Sequence, residues 1–271
     1  MKTILVLLDG LHQPVDILRS VANLARTDSS FLHILILRRS YLLANLSYPL
    51  GSDLPLMEKE QEEDQRMLDN NLEQARVVLA ESGLKYAISE EEHTLSELLK
   101  QSAFADIVLM DARISLSDML YFPLNVSFKD LLADAHCPVI VLRDNPGPIE
   151  KVMLAYDGSY SSIYAIKLFS YLFPQWRSLP TYLVTVQSGE RQLTNDDQLK
   201  EWWTRHFDRL ELSTVPGKPS DTLPDIVNKQ PGHTIVVMGA YGRTAVSRLF
   251  RQSLSNTILQ KTNASLFVTH E

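Results

Sequence analysis

Two short segments of the chain combine residue types that could hold an anion. The first is Asp157-Gly158-Ser159, which follows the apolar run Val152-Met153-Leu154-Ala155-Tyr156. The second is Met238-Gly239-Ala240-Tyr241-Gly242-Arg243, which follows Thr234-Ile235-Val236-Val237 and leads to Gln252-Ser253, where a last helix is expected to begin. Glycines at 239 and 242 would let main-chain amides come close to an anion, and a helix N-terminus at Ser253 would add N–H groups and a favourable dipole. Between Gly239 and Ser253 lie Arg243, Arg248 and Arg251 and no acidic residue. Arginine suits planar recognition of phosphate oxygens. For Arg248 and Arg251 the plainer reading is preferred, in which they face solvent or pair with acids of the other half. Arg243, beside Gly242, suits either role.

Whether the two segments meet depends on the elements that carry them. The chain repeats itself: Thr3-Ile4-Leu5-Val6-Leu7-Leu8-Asp9-Gly10 aligns with Lys151-Val152-Met153-Leu154-Ala155-Tyr156-Asp157-Gly158. Asp106 to Met110 aligns with Thr234 to Met238, and Val139 to Leu142 with Leu266 to Thr269. The offset shrinks along the chain, so the second copy is shorter in its middle. Asp144-Asn145-Pro146-Gly147-Pro148 breaks regular structure near the midpoint, giving expected domains 1–145 and 150–271. In the second, strands are expected over Val152–Tyr156, Thr181–Val186, Leu210–Val215, Thr234–Met238 and Leu266–Thr269. Helices are expected over Ser161–Phe173, Asp196–Phe207, Asp221–Lys229 and Ser253–Lys261, and the first half adds a longer one from about Glu58 to Ser82. Nearly all-apolar strands alternating with helices predict a parallel sheet covered on both faces. Right-handed crossovers then make each half a doubly wound α/β layer. Ligands bind such layers beyond the carboxyl ends of the strands, where the strand order reverses. The apolar connection from Ser40 to Leu56 is expected to pack against the second half, with a ligand lid as the other reading.

The spacing Gly239-x2-Gly242-x9-Gln252-Ser253 resembles the Gly-x2-Gly-x9-Gly-Ser/Thr nucleotide loop of the universal stress protein (UspA-like) family. Asp157-Gly158-Ser159 looks like that family's first-strand signature. The resemblance covers nearly the whole chain as two tandem copies, closer in the second. It implies two tandem doubly wound parallel five-stranded sheets of the adenine nucleotide alpha hydrolase-like, Rossmann-like class, with strand order 3-2-1-4-5. It also implies pairing through the last strands, here as an intrachain pseudo-dimer of Val139–Leu142 with Leu266–Thr269, with a homodimer of the whole chain left open. The implied ligand is ATP or another adenine nucleotide, accompanied by Mg. Carried over by residue, Asp157 lies beside the nucleoside, the main chain near Val186 meets the adenine edge, and Gly239, Gly242, Gln252 and Ser253 line the phosphates. Gly158, Ser159, Met238 and Arg243 complete the implied nucleotide-binding set. The third glycine of the pattern is Gln252, whose side chain would either obstruct a phosphate or donate to it.

The first half departs further from the pattern. Asp9-Gly10 remains, but its loop reads Met110-Asp111-Ala112-Arg113-Ile114, and Asn125-Val126 stand where Gln252-Ser253 do in the second. A carboxylate about 4 Å from a phosphate charge costs roughly 4 kcal/mol at an effective dielectric near 20. The first half is therefore expected to bind no nucleotide in this way.

Composition narrows the remaining classes. The chain has 271 residues, 45% of them hydrophobic and 22% charged, with 10 Gly and 13 Pro, which suits a folded globular protein and excludes collagen-like and disordered ones. Its formal charge of −7 argues against broad nucleic-acid binding. Apolar runs are too short to span a bilayer. Lys2 followed by Ile4 to Leu8 stops at Asp9, short of a signal peptide, and the lone Cys137 offers no disulfide, so a cytoplasmic location is expected. The seven histidines show no metal-ligand spacing, and there is no Gly-x4-Gly-Lys-Ser/Thr loop. Ser161 and Ser162 read as helix-capping residues, and Trp202-Trp203 as a packed helix face. The leading expectation is a stress-response regulatory module with no identifiable general base. A nucleotide-free interaction scaffold and a very slow ATPase are its rivals.

Overall fold

The computed structural model describes residues 1–26, 29–37, 54–89, 95–116, 131–132, 134–143, 147–187, 197–239, 254–255 and 257–269. The chain divides into two compact units, Met1–His136 and Cys137–Glu271.

In the first unit, β1 (Lys2–Asp9), β2 (Ser30–Leu37), β3 (Lys85–Ser89) and β4 (Ile107–Asp111) pair in the order β3-β2-β1-β4, every pair parallel. β1 and β4 are buried along nearly their whole length, as strands covered on both faces must be. Helix α1 (Val15–Ala25) turns Ile17, Leu18, Val21, Ala22 and Ala25 inward, the spacing of one helical face. Helix α2 (Leu54–Ser82) starts ahead of the expected Glu58 and buries Leu68, Asn71, Leu72, Ala75, Val78 and Leu79 of its carboxyl half. Two short helices follow, α3 (Leu95–Ser102) and α4 (Ala112–Leu116).

The second unit holds β5 (Val139–Leu142), β6 (Lys151–Ala155), β7 (Thr181–Gln187), β8 (Leu210–Pro216), β9 (Thr234–Gly239) and β10 (Ser265–Thr269). Strands β8-β7-β6-β9-β10 form a parallel ladder in the order 3-2-1-4-5 of their occurrence after β5. Strand β5 runs antiparallel to β10, with Val139, Ile140 and Val141 opposite Val268, Phe267 and Leu266, so the two strands expected to pair within the chain do so. All four β5 side chains are buried. Helix α5 (Tyr160–Leu172) lays Phe169 edge-on to Phe267 at 5.2 Å. Pro174 ends it as expected and opens a 3-10 turn, Pro174–Trp176, in which Trp176 stacks on Phe173 at 4.5 Å. Helices α6 (Asp197–His206) and α7 (Pro219–Asn228) complete the unit. Helix α7 begins ahead of the expected Asp221 because Pro219, with its fixed φ and missing N–H, suits the first turn.

Thus each half is a doubly wound α/β layer, as the alternating pattern required. No helix among the described residues is long and apolar enough to cross a membrane. Cys137 is half-buried. Most of the connection from Ser40 to Leu56, together with Asn125 and Val126, lies outside the described residues.

Candidate functional site

In the second unit β6 lies between β7 and β9, so the strand order reverses across its carboxyl end. Past Ala155 the chain makes one more sheet contact, Tyr156 N–H to the Val184 carbonyl at 3.0 Å, and then turns. Gly158 takes φ +79° there, a conformation that costs glycine nothing. Asp157 Oδ1 accepts hydrogen bonds from Ser159 N–H (3.0 Å) and Ser159 Oγ (2.5 Å). Ser159 Oγ also accepts from Ser162 N–H at 3.2 Å, and Ser162 Oγ donates to the Ser159 carbonyl at 2.7 Å. The cap of α5 is therefore Ser159, two residues ahead of the Ser161-Ser162 pair to which the sequence assigned it.

Gly239 closes β9 opposite this turn. A Cβ on it would stand 2.5 Å from the Ser161 carbonyl oxygen and 2.6 Å from its carbon, distances no side chain tolerates. Its φ is not positive. The residue is glycine because the first turn of α5 crosses the end of β9 in contact with it, a requirement of packing that holds with or without an anion.

Around this junction lies a small cleft of about 80 Å³, open at its mouth. Strand β6 and the turn after it supply Ala155, Tyr156 and Asp157, and α5 supplies Ser162. Val184 and Val186 come from β7, Met238 and Gly239 from β9, Pro219 and Leu223 from α7, and the last lining residue is Leu254. The walls are mostly apolar, with Tyr156, Asp157 and Ser162 as the lining residues that carry a side-chain oxygen. Tyr156 is held by Trp203, whose ring meets it edge-on at 5.0 Å. Trp203 is buried, while Trp202 stacks on His206 at 3.9 Å.

Of the residues singled out from sequence, Asp157, Val186, Met238 and Gly239 meet in this cleft, whereas Gly158 and Ser159 shape the turn beside it. Gly242, Arg243, Gln252 and Ser253 lie outside the described residues. Tyr156, Ser162, Val184, Pro219, Leu223 and Leu254 were not anticipated, because an apolar side chain facing a cleft has the same spacing as one facing the core. Among the described residues no group of three or more His, Cys, Asp and Glu could hold a metal.

The corresponding crevice of the first unit is occupied by its own side chains. Asp9 accepts from Leu11 N–H at 2.9 Å through Oδ1 and pairs with His12 Nδ1 at 2.9 Å through Oδ2. Asn71 Nδ2 of α2 donates to the Gly10 carbonyl at 2.8 Å, and a Cβ on Gly10 would stand 2.9 Å from Leu68 Cδ1. Asp111, buried at the end of β4, accepts from Arg113 N–H at 2.8 Å and from the Arg113 guanidinium, which also donates to the Gln13 carbonyl at 3.1 Å. The expected bare carboxylate is thus a neutralised one, and what stands in the crevice is a bonded pair rather than a lone negative charge.

No family model matches the chain, and no curated protein does. Solved structures do. A universal stress protein from Archaeoglobus fulgidus, 13% identical, matches 99% of this chain and 96% of its own with a TM-score of 0.67. A Pseudomonas aeruginosa protein provisionally given the same family name is 14% identical over 100% of this chain and 93% of its own, at 0.58. The cytoplasmic domain of a prokaryotic cation chloride cotransporter is 11% identical over 99% of this chain and 95% of its own, at 0.52. Identities this low speak of architecture alone, and that architecture is the fold of the universal stress proteins, matched from end to end of the chain.

Proposed function

We propose that this protein is a universal stress protein, a regulatory module of the stress response whose second unit binds ATP or another adenine nucleotide. The observation that carries the reading is the convergence of Asp157, Val186, Met238 and Gly239 on one mostly apolar cleft at the strand-order reversal. Val184, Val186, Met238 and Leu223 would flank the base, Asp157 would accept from the ribose, and the segment from Gly242 and Arg243 to Gln252 and Ser253 would take the phosphates. Mg would ride on those phosphates, since it keeps most of its water and needs no protein cage. On this reading the domains are residues 1–145 and 150–271, and the β5–β10 pair is the internal counterpart of a family dimer contact. The protein would work in the cytoplasm without catalysis.

A second reading, a nucleotide-free interaction scaffold, is favoured by one observation: Gly239 is explained by its contact with Ser161, so its presence does not require a phosphate. The cotransporter domain shows that the same architecture serves other proteins. Titration calorimetry with ATP, ADP and AMP separates the two. Binding heat that Asp157→Ala abolishes supports the nucleotide, and absence of heat with all three supports the scaffold.

A further inference from the structure

Strand β8 is the outer strand of its ladder, seven residues long, and its four central side chains Glu211 to Thr214 are exposed, Leu212 by 52%. Thr181 N–H donates to the Arg209 carbonyl and Gly217 N–H to the Gln187 carbonyl, so the odd-numbered residues of β8 turn their main-chain groups toward β7. The even-numbered ones turn theirs outward: Leu210, Leu212 and Thr214 each present an N–H and a C=O, and Pro216 a C=O. Natural sheets blunt such edges with charged side chains, proline, a bulge or a short strand. Here Glu211 is the one charged residue of the strand, Leu212 to Val215 carries none, and Pro216 falls only at the last outward position.

We propose that this edge is a docking surface for a second copy of the chain, the two β8 strands pairing antiparallel about a twofold axis at Ser213. The sequence is complementary to itself in that register. Leu212 faces Thr214 of the second copy and exchanges both main-chain bonds with it, and Leu210 donates to the Pro216 carbonyl, so the missing proline N–H falls at the end of the ladder. Glu211 faces Val215 and Arg209 faces Gly217, leaving no like charges opposed. Just outside the strands Asp208, whose carboxylate already accepts from the Arg177 guanidinium of its own chain, comes opposite Lys218 at both ends. A closed twofold contact of this kind occupies the β8 edge of both copies, so pairing through β8 ends at the dimer.

Sedimentation velocity of the full chain, from micromolar to near-millimolar concentration, tests the pairing. A monomer–dimer equilibrium is expected, and Thr214→Pro, which removes an outward N–H but none of the bonds to β7, should weaken it at least about tenfold. Circular dichroism confirms that the variant is folded. In a Cys137→Ser background, Ser213→Cys should give a disulfide-linked dimer under a mild oxidant, because the two residues face each other across a non-hydrogen-bonded pair with Cα atoms about 4.5 Å apart. Glu211→Cys, equally exposed, faces Val215 and should not. A monomer at every concentration, a dimer indifferent to Thr214→Pro in a folded variant, or equal cross-linking by both cysteines overturns the proposal.

Discussion

Gly239 lies against the carbonyl of Ser161 so closely that a single added methyl carbon would stand 2.5 Å from that oxygen. Neither residue can move alone, because Gly239 ends a fully buried strand and Ser161 sits in the capped first turn of α5. Overpacking of this kind costs about 1 to 3 kcal/mol. Gly239→Ala should lower the unfolding free energy measured in urea by that amount with no ligand present. Unchanged stability would show that the contact yields and that packing does not require glycine there.

Ser159 links the cleft to the fold, since the same hydroxyl caps α5 and bonds to Asp157. Ser159→Ala should cost about 1 kcal/mol in chemical denaturation, the usual cost of a lost N-cap. Ser159→Thr keeps the hydroxyl and should recover most of it. Equal losses for both variants would mean that packing, and not the cap, is at stake.

In the first unit, Arg113→Ala leaves the buried Asp111 carboxylate without its guanidinium. Breaking a buried pair from one side costs about 3 kcal/mol, whereas removing both partners costs less. The double variant Asp111→Ala, Arg113→Ala should therefore be more stable than Arg113→Ala alone by thermal or urea unfolding. Additive losses would show that the two residues do not stabilise one another.

Burial holds His233 below the usual imidazole range, with the Gly147 carbonyl and the Glu150 charge acting in the opposite sense. Its Nε2 lies 3.0 Å from Ser265 Oγ. The unfolded chain binds this proton more readily than the folded one, so the contribution of His233 is complete above the ordinary value of about 6.5 and is lost as pH falls through and below it. Urea midpoints should drop between about pH 7.5 and about pH 5.5, and less steeply in His233→Gln. An equal slope in the variant would assign the pH dependence to other groups.

Much of this architecture is legible in the residues. The runs Leu5–Leu8, Thr234–Met238 and Leu266–Thr269 are too continuously apolar for half-exposed strands, and their alternation with helical spacing leaves few arrangements other than a doubly wound layer. Asp157 and Gly239 could be placed at strand ends because strand ends are marked by where the apolar run stops. The other walls of the cleft could not be found this way. Leu223 on α7 and Leu254 differ from core leucines only in what lies opposite them, and that is fixed by crossovers connecting distant parts of the chain. The same limit applies to the cap, where three serines in four residues offer equivalent hydroxyls until the direction of the helix selects Ser159.

By itself the sequence determined the repeat, the strand and helix periods, and the difference between a second half that keeps Gly239 and a first half that puts Asp111 there. These follow from short-range chemistry, which a linear string carries in full. Tertiary structure decided what those residues do. Gly239 is shaped by Ser161, the crevice of the first unit is filled by Arg113 and Asn71, and β8 is left with an outward row of main-chain groups. Each of these depends on a contact or an open edge created when segments far apart in the chain come together, so it is settled only once the sheet order is set.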